Sequence, residues 1–423
     1  MVVDIQRCDT EATSISVVMP CLNEAESIAK CVIDARAGIA ATGLPGEVVV
    51  VDNGSIDGSA ELAELAGARV VYAPSPGYGA ALTAGIRAAR GTIVVMADAD
   101  DTYDFHMVPA LVAPVLEGEA DLVVGSRLSD LKSGTMPMLH RRVGTPILTF
   151  LVGRAAGGLR ISDSQSGFRA FRRSTILRLR LESAGMEFAS EMLIRAARAG
   201  LRIREVDAGY RHRIGESKLH TFRDGARHLQ LITLLAPDLL LLGPGATLLA
   251  LGTLLSLYAI AFPAGLQLGS LRWQPVFFSS IALVLGLQMV LAGAAIANRS
   301  SIAAGSLRVR FAFVSEARFL DACVASGVGA CMAGLAIDLG LFVISVIHHP
   351  SPSRGLALAA LAQSLLIIGG SLVLFGTVGR WVARGGALHQ RPEPKMSTET
   401  PPVTADGLRQ HFLPAADEGN VVA

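Results

Sequence analysis

The sequence lacks the cysteine pattern of either a zinc site or a disulfide-stabilised fold. Its five cysteines form no CxxC pair and lie near no cluster of histidines, whereas both kinds of site show characteristic spacings. Reduced thiols, the usual state of cytosolic cysteines, are therefore expected. The five are Cys8, Cys21, Cys31, Cys323 and Cys331.

The sequence also lacks an excess of positive charge and an apolar leader. Its formal net charge is +1 at pH 7, which excludes a globally basic nucleic-acid-binding protein. Residues 1–16 include charged side chains but no apolar stretch of the kind found in signal peptides. No signal peptide is therefore expected, and the first domain is expected to stay in the cytosol.

Charged residues are scarce, at 17% of the chain, and apolar residues reach 51%. This average combines two different parts. Residues 1–230 have the mixed composition of a soluble α/β domain, while residues 239–380 contain four nearly charge-free runs. Each run exceeds the roughly 20 residues that cross a bilayer, so each is predicted to be a membrane span. The runs cover about residues 239–262, 276–297, 322–347 and 355–379.

Arginine and lysine are distributed unequally between the two sides of these spans. The loop between the second and third runs and the tail after the fourth are basic, whereas the opposite loops carry only Arg272 and Arg354. Because basic loops stay in the cytosol, both termini are predicted to be cytosolic in a multi-pass protein of the cell membrane. The basic residues are Arg299, Arg308, Arg310 and Arg318 in the loop, and Arg380, Arg384, Arg391 and Lys395 in the tail.

Short apolar runs alternate with helical patterns in the first half of the chain. This alternation is typical of βαβ units and a mainly parallel sheet. Since functional residues collect at the carboxyl ends of such strands, Asp52 and Asp98 are candidate site residues. Strands are predicted near residues 15–19, 47–51, 68–72, 93–97, 122–124 and 203–207.

The run IVVMADADDTYD, from Ile93 to Asp104, places clustered carboxylates where a buried strand meets a loop. A buried carboxylate costs desolvation free energy unless it is paired or binds a metal ion. Asp98 and Asp100 offer hard oxygen ligands suited to Mg²⁺ or Mn²⁺, which also bind phosphate oxygens. Acidic loops are common, so this motif alone does not separate a metal site from an ordinary acidic loop.

Polar groups near and within the membrane runs allow two interpretations each. Residues 220–238 are amphipathic and basic, which predicts a helix on anionic lipid headgroups; a helix with one solvated face is the alternative. Asp338 lies inside the third span, where a carboxylate is costly and often functional. A protonated or interface-directed structural role for Asp338 is the alternative.

Eight motifs in order resemble those of family 2 glycosyltransferases, specifically the branch that makes polyprenyl (dolichol) phosphate sugars. The resemblance covers about residues 14–235, with a membrane tail like that of some members. It implies a GT-A fold, an α/β sandwich with a mainly parallel sheet that binds a nucleotide sugar, followed by a four-span α-helical membrane domain. The motifs are SVVMPCLNEAESI, VVVDNGSIDGS, GYGAALTAGIRAARG, MADADDTYD, DLVVGSR, DSQSGFRAF, FASEML and YRHRIGESKL.

The resemblance and the composition together divide the chain into four parts. A cytosolic glycosyltransferase domain is predicted over residues 1–219 and an interfacial amphipathic helix over 220–238. The transmembrane domain is predicted over 239–380. The remainder, 381–423, is rich in Pro, Thr and Glu and is predicted to be a disordered cytosolic tail.

The matching motifs imply a donor site. Pro20, Glu24 and Asp52 would line the nucleoside pocket, although Glu24 could instead merely favour a helix N-terminus. Asp98 and Asp100 would hold Mg²⁺ or Mn²⁺ on the donor's diphosphate.

Three further residues are implied to act on the transferred group. Arg213 and Lys218 would close over the diphosphate, since arginine suits bidentate contact with phosphate oxygens. Glu191 falls where the family has a carboxylate near the sugar, and it would orient hydroxyls rather than remove a proton.

An acceptor site is implied as well. Arg127, Arg141 and Arg142 would hold the lipid phosphate, although Arg141 and Arg142 could instead contact lipid headgroups. The segment Ser166, Gly167, Phe168 and Arg169 matches the acceptor-side loop.

The sequence departs from the family pattern at three places. Asn53 stands where many members have a second aspartate, Leu22 replaces an aromatic residue near the base, and Asp101-Thr102 replaces Leu-Gln. These departures leave open the donor sugar, the base and a third metal ligand.

The predicted reaction moves a hexose from a GDP-mannose-type or UDP-glucose-type donor to polyprenyl phosphate with inversion at the anomeric carbon. The expected partners are the donor, the lipid acceptor and the bilayer, with no nucleic acid; a homo-oligomer is left open. Two alternatives are a processive polysaccharide synthase, for which no QxxRW-type segment is present, and a non-catalytic scaffold or transport protein that senses nucleotide sugar.

Overall fold

The computed structural model describes residues 13–128, 144–214, 221–262, 265–268, 271–299, 305–348 and 352–389. Its first half is built on one seven-stranded sheet. The strands are β1 Ile15–Cys21, β2 Gly46–Asp52, β3 Arg69–Tyr72, β4 Ile93–Met96, β5 Leu122–Ser126, β6 Arg169–Arg172 and β7 Ile203–Asp207.

The strand order is β3-β2-β1-β4-β6-β5-β7, and β6 runs antiparallel to both of its neighbours. The other strand pairs are parallel. The predicted mainly parallel GT-A sheet is therefore confirmed. The sequence did not reveal β6, a strand of four residues whose Arg169 interrupts the apolar pattern.

Both faces of the sheet are covered, which explains the nearly continuous valine runs in its central strands. Val17 and Val50 contribute to one apolar cluster with helix α1 (Ile28–Ala40), while Val18 and Val51 contribute to a second cluster with helix α3 (Tyr78–Ala88) on the opposite face. The helices of this domain are α1 Ile28–Ala40, α2 Ser59–Leu65, α3 Tyr78–Ala88, α4 Val108–Leu116, α5 Thr145–Ala155, α6 Arg173–Arg178, α7 Phe188–Arg198 and α8 Thr221–Leu235.

A π-helical turn, Asp238–Leu242, connects α8 to the apolar helices. These are α9 Gly243–Ala261, α10 Val276–Arg299, α12 Ala317–His348 and α13 Pro352–His389, with the short α11 Gly305–Arg310 before α12 and a hairpin of β8 Leu266–Leu268 and β9 Leu271–Trp273 before α10. Four of the described segments are long and apolar enough to cross a membrane. The four predicted spans agree with them.

Two predicted domain boundaries can be placed on the helices. The predicted interfacial helix, 220–238, corresponds to α8 and the residues that follow it. The predicted start of the disordered tail at residue 381 falls inside α13, which continues to His389. Trp381 and Val382 extend its apolar sequence, and the rest of the predicted tail lies outside the described residues.

Candidate active site

The carboxyl ends of the parallel strands gather the predicted donor-site residues. Asp52 is the last residue of β2, and Asp98 comes two residues after the end of β4. Glu24 follows β1 by three residues. The alternation of strands and helices therefore places all three at one edge of the sheet, as predicted.

Asp98 is half-buried against a tyrosine and a glycine. The Tyr78 hydroxyl donates a hydrogen bond to Oδ1 of Asp98 at 2.8 Å. A Cβ built on Gly167 would lie 2.7 Å from that hydroxyl and 3.1 Å from Oδ2 of Asp98, so only glycine fits there without movement. Burial, and next the charge of Asp100, raise the pKa of Asp98 to about 6.

Asp100 is buried and held on both oxygens. Thr102 donates to Oδ1 from its amide at 3.2 Å and from its hydroxyl at 2.5 Å. Arg213 donates to Oδ2 at 2.7 Å. Asp101, which lies between Asp100 and Thr102 in the sequence, has a positive φ of 62°. Its carboxylate contacts Lys30 at 2.5 Å instead. The positive φ thus separates two adjacent carboxylates into different environments.

Arg213 joins two distant parts of the chain. Its guanidinium contacts Oδ2 of Asp100 at 2.7 Å and Oε1 of Glu24 at 2.8 Å. Its segment is held by backbone hydrogen bonds over residues 98–104, the acidic loop. Arg211 N–H donates to Thr102 O at 2.8 Å, and Ile214 N–H donates to Asp100 O at 3.1 Å. The beginning of the RIGESKL motif therefore lies on the acidic loop, while Lys218 lies outside the described residues.

Asp52 and Asn53 shape the loop after β2. Asp52 accepts from the amides of Gly54 at 3.1 Å and Ser55 at 3.2 Å. Asn53 both donates to the carbonyl of Gly77 and accepts from its amide, each at 3.0 Å. An ionised aspartate has no donor for the carbonyl of Gly77, so this pairing explains why asparagine stands here. Pro20 lies in β1 opposite Val51.

Arg127 is paired with a buried aspartate that the sequence analysis did not single out. Its Nε and Nη2 donate to the two oxygens of Asp163 at 2.7 and 2.9 Å, and its guanidinium lies 5.5 Å from the ring centre of Tyr210. Burial alone would raise the pKa of Asp163, but Arg127 outweighs it and holds that pKa below its usual value. Arg127 is thus already neutralised by a partner.

The acceptor-side loop is held from inside the domain. Arg169 is fully buried and donates to the carbonyl oxygens of Ser164, Ser166 and Ala189 at 2.9, 2.9 and 2.7 Å. Burial lowers its pKa to about 10. The Ser166 side chain is also buried and accepts from the amide of Phe168 at 3.2 Å. These two predicted acceptor residues therefore shape the loop from within.

Tyr103 supports the same loop from the acidic side. Gly167 N–H donates to its hydroxyl at 2.8 Å, and its ring stacks on Phe168 with centroids 5.1 Å apart. Tyr78 thus bonds to Asp98 directly, and Tyr103 holds Gly167, which lies against Asp98. Both tyrosines lie in the matched motifs, but their contacts depend on residues far away in sequence.

Glu191 is fully buried at the beginning of α7. It accepts from the amides of Glu182 at 3.0 Å and Ser183 at 2.8 Å, and it pairs with Arg195 at 2.7 Å. The segment it holds contacts α3, since Ala80 N–H donates to Ala184 O at 3.1 Å. Here Glu191 fixes a loop beside the start of α3, and its predicted contact with the sugar remains a prediction.

Two other predicted acceptor residues, Arg141 and Arg142, lie outside the described residues. Within the described ranges no group of three or more His, Cys, Asp or Glu side chains converges as a metal site. The acidic loop thus offers two neighbouring carboxylates, Asp98 and Asp100, rather than a complete protein cage. Asp338 is half-buried on α12, and its role stays open.

Comparison with known proteins gives consistent relatives. A family model described as glycosyl transferase family 2 matches residues 16–179. The low-salt glycan biosynthesis hexosyltransferase Agl6 of Haloferax volcanii is 33% identical over 369 residues, covering 86% of this chain and 88% of that protein. A match of that length extends from the α/β domain into the apolar helices.

Two further comparisons each cover about half of the chain. The dolichyl-phosphate hexose transferase of Haloferax volcanii is 35% identical over 216 residues, covering 50% of this chain and 89% of that protein. Among solved structures, glucosyl-3-phosphoglycerate synthase from Mycobacterium tuberculosis with Mn²⁺, uridine diphosphate and phosphoglyceric acid is 29% identical, covers 53% of this chain and 76% of that chain, and has a TM-score of 0.42.

Proposed function

The chain belongs to glycosyl transferase family 2, and we propose that it moves one hexose from a nucleotide diphosphate sugar to a polyprenyl phosphate. Its glycosyltransferase activity follows from the family and its hexosyltransferase relatives. The lipid acceptor is supported by four membrane-length helices and by the dolichyl-phosphate hexose transferase that is 35% identical over half of this chain. The observation that carries the proposal is Arg213 bound to both Glu24 and Asp100 at the carboxyl edge of the sheet.

The acidic loop fits a divalent cation. Asp98 and Asp100 are hard oxygen donors, and the raised pKa of Asp98 reflects burial and a repulsion that a cation would relieve. Mg²⁺ is commonly bound by one or two carboxylates plus substrate phosphates and water, which agrees with a site of two carboxylates. When bound, Mg²⁺ or Mn²⁺ would stabilise negative charge on the leaving diphosphate.

Arg213 would deliver positive charge to the donor. Its guanidinium is held over the site by Glu24 and Asp100, and its side chain is 24% exposed. Phosphate oxygens offer the same bidentate geometry as carboxylates, so Arg213 can exchange these partners for the diphosphate. Lys218 would contribute a second charge from the same segment, and Pro20, Glu24 and Asp52 would border the nucleoside.

The acceptor phosphate needs to be positioned by the enzyme more than it needs a general base to remove a proton. A phosphate monoester has a second pKa of about 6 and is therefore mostly a dianion at neutral pH. Ser166 and Arg169 would act by fixing the loop that holds Gly167 against Asp98, while Arg141 and Arg142 would supply positive charge. Arg127, whose charge Asp163 balances, would act on the lipid phosphate as a hydrogen-bond donor rather than as a net charge. Glu191 would act through the loop it holds beside Tyr78. Attack from the face opposite the diphosphate inverts the anomeric carbon.

The proposed location is the cell membrane with the α/β domain and both termini in the cytosol. Asp321, near the start of α12, pairs with Arg380, near the end of α13, at 2.9 Å. The basic segment before α12 and the end of α13 therefore share one side, as the positive-inside rule requires. Labelling of a single cysteine near Arg310 from outside intact cells, by an impermeant reagent, would contradict this orientation.

The test of function is a donor panel with the full-length protein in detergent or liposomes. Radiolabelled GDP-mannose, UDP-glucose and UDP-N-acetylhexosamines are supplied with polyprenyl phosphate, and label is measured in chloroform-soluble lipid. We expect transfer from one donor class, with nucleoside diphosphate released only when the acceptor is present. Growth of a polymeric product would indicate a processive synthase instead, and no transfer from any donor would contradict the proposal.

A further inference from the structure

His228 is a buried polar residue on the helix that precedes the membrane spans. It lies in the middle of α8, whose neighbouring residues Arg227 and Leu229 are exposed, and it is itself only 4% exposed. An imidazole buried this deeply requires a hydrogen-bond partner. The partner is Ser190, the residue before Glu191 on α7, whose hydroxyl lies 2.9 Å from Nδ1 of His228.

Ser190 continues the contact to the acceptor-side loop. Its hydroxyl oxygen accepts from Nε2 of Gln165 at 3.2 Å. The same amide nitrogen donates to the hydroxyl of Ser164 at 2.8 Å, and Thr149 on α5 donates to that hydroxyl at 3.0 Å. One path of buried and half-buried side chains therefore connects α8, α7, the loop and α5.

The Ser190 hydroxyl can bond to either tautomer of the imidazole. Gln165 donates to one lone pair of the Ser190 oxygen, which leaves the hydroxyl proton for an unprotonated Nδ1 of His228 and the second lone pair for an Nδ1–H. A neutral ring can therefore form this bond in both tautomers. Burial lowers the pKa of His228 despite the opposing charges of Glu187 and Asp224, which agrees with a neutral ring.

The loop end of this path is next to the proposed reaction centre. Gln165 is followed by Ser166 and by Gly167, whose position is set against Tyr78 and Asp98. The other end lies on α8, which ends at Leu235, just before the first membrane-length segment begins at Asp238. A shift of α8 on the bilayer would thus be transmitted to the loop through His228.

We propose that His228 is a positioning residue which, through Ser190 and Gln165, ties the membrane-proximal helix α8 to the loop that receives the lipid phosphate. This rests on the proposed polyprenyl phosphate acceptor. His228 sets the loop's position and so controls acceptor binding, whereas the donor side is held separately through Arg213, Glu24 and Asp100. We call this path, His228–Ser190–Gln165, the relay. It predicts that loss of the hydrogen bond between His228 and Ser190 changes the KM for the acceptor and not the KM for the donor.

The test compares His228→Leu with His228→Asn in full-length protein in liposomes. Leucine removes the hydrogen-bonding atom, while asparagine keeps a polar group near the place of Nδ1 that can either accept or donate. His228→Leu should raise the acceptor KM roughly twofold to tenfold, the range of one neutral hydrogen bond, with donor KM unchanged. His228→Asn should restore a value near that of the wild type. Gln230→Leu, an exposed polar residue of the same helix, is the control and should leave the acceptor KM unchanged.

A second variant, Gln165→Met, distinguishes loss of the relay from a folding defect. In both variants α8 keeps its other contacts, because Ile232 and Leu235 are buried and Arg198 donates to Leu235 O at 2.7 Å. Gln165→Met breaks the same path from the loop side and should raise the acceptor KM similarly. Combined with His228→Leu, it should add little, since both remove one connected set of bonds.

The outcomes separate the relay from the proposed function. Wild-type enzyme that transfers no sugar to polyprenyl phosphate overturns the function itself. Wild-type transfer with unchanged acceptor KM in both His228→Leu and Gln165→Met overturns the relay alone. An equal rise in donor and acceptor KM, or no recovery in His228→Asn, also overturns it, because either result indicates general destabilisation.

Discussion

The α/β domain and the four apolar helices are held together by different kinds of close contact. In the domain, charged side chains are buried with their partners: Arg169 donates to three carbonyls and Asp163 pairs with Arg127. In the helices, glycines bring backbones together; a Cβ on Gly369 would lie 2.5 Å from the carbonyl oxygen of Gly327. In water, buried polar groups must be satisfied, whereas between helices in lipid, close packing is a main source of attraction.

An ion pair inside the α/β domain is buried, whereas one at the ends of the apolar helices is exposed. The Arg127–Asp163 pair has side chains 12% and 0% exposed, whereas those of Arg380 and Asp321, at the ends of α13 and α12, are 33% and 59% exposed. Solvent screens the second pair and not the first. We therefore expect the buried ion pair in the α/β domain to contribute much more to the free energy of unfolding than the exposed pair at the ends of the apolar helices.

The largest expected effect is on stability when the buried pair is broken. Asp163→Asn leaves the Arg127 guanidinium buried without its counter-ion, which costs about 3–5 kcal/mol in comparable cases. Because Arg127 holds the pKa of Asp163 below its ordinary 3.8, the stabilisation is present above about pH 4 and lost only as pH falls through the folded-state pKa. The deficit should thus be constant from about pH 5 to about pH 8 in thermal or denaturant unfolding.

The matched control is Asp321→Asn in the other region. That pair is exposed, and exposed pairs contribute only about 0–1 kcal/mol. A deficit for Asp321→Asn equal to that for Asp163→Asn would contradict the comparison of the two regions.

The next effect concerns turnover. Asp100→Asn weakens both the contact to Arg213 and the proposed metal ligand, so the transfer rate should fall roughly a hundredfold to a thousandfold, as when one preorganised charge contact is lost. EDTA should abolish wild-type activity, and Mg²⁺ or Mn²⁺ should restore it. The loss in the variant and the loss in EDTA should not add, since both remove one interaction.

The adjacent aspartate provides the control. Asp101 points to Lys30 instead, and asparagine tolerates its positive φ, so Asp101→Asn should keep most of the activity. Full activity of Asp100→Asn, or wild-type activity in EDTA, would assign the acidic loop a purely structural role.

The local parts of this site were predictable and the long-range parts were not. Asp52, Asp98 and Asp100 follow apolar runs directly, so their location at one sheet edge could be derived from the sequence. The contact between Glu24 and Arg213 joins residues 189 positions apart, and no pattern within either motif predicts it. The resemblance alone brought those two residues into one site.

The partners of buried charged side chains could not be predicted from the sequence. Arg169 and Glu191 lie in matching motifs, and their contact with substrate stays a prediction; the structure adds hydrogen-bond partners inside the domain that the motifs do not indicate. Nothing near Asp163 in sequence indicates its partner Arg127, 36 residues away. The four membrane helices were predicted closely, because span length and low charge are local properties.

A third prediction adds one methyl group beside Asp98. In Gly167→Ala the new Cβ would lie 2.7 Å from the Tyr78 hydroxyl, so the tyrosine or the loop must move and the transfer rate should fall roughly tenfold to a hundredfold, as a misplaced reacting group can cost that much. Tyr78→Phe in the same chain removes the atom that collides and should recover part of the loss. A double variant slower than the product of the two single effects would show that the collision is not the cause.

The smallest effect is expected for the same substitution in the membrane helices. In Gly369→Ala the new Cβ would lie 2.5 Å from Gly327 O and 2.6 Å from Cys331 Sγ, so α12 and α13 must separate slightly. Adding one methyl group to a tight contact costs about 1 kcal/mol, the low end for overpacking, and this should appear as a lower unfolding midpoint in detergent. A Cβ on the neighbouring Gly370 would meet nothing within 4 Å, so Gly370→Ala should match the wild type.

Transfer rates should be unchanged in both variants because the contact lies outside the α/β domain. A loss of turnover in Gly369→Ala at a temperature where the protein is folded would instead show that the helix pair takes part in the reaction, and the separation of roles between the two regions would then be wrong.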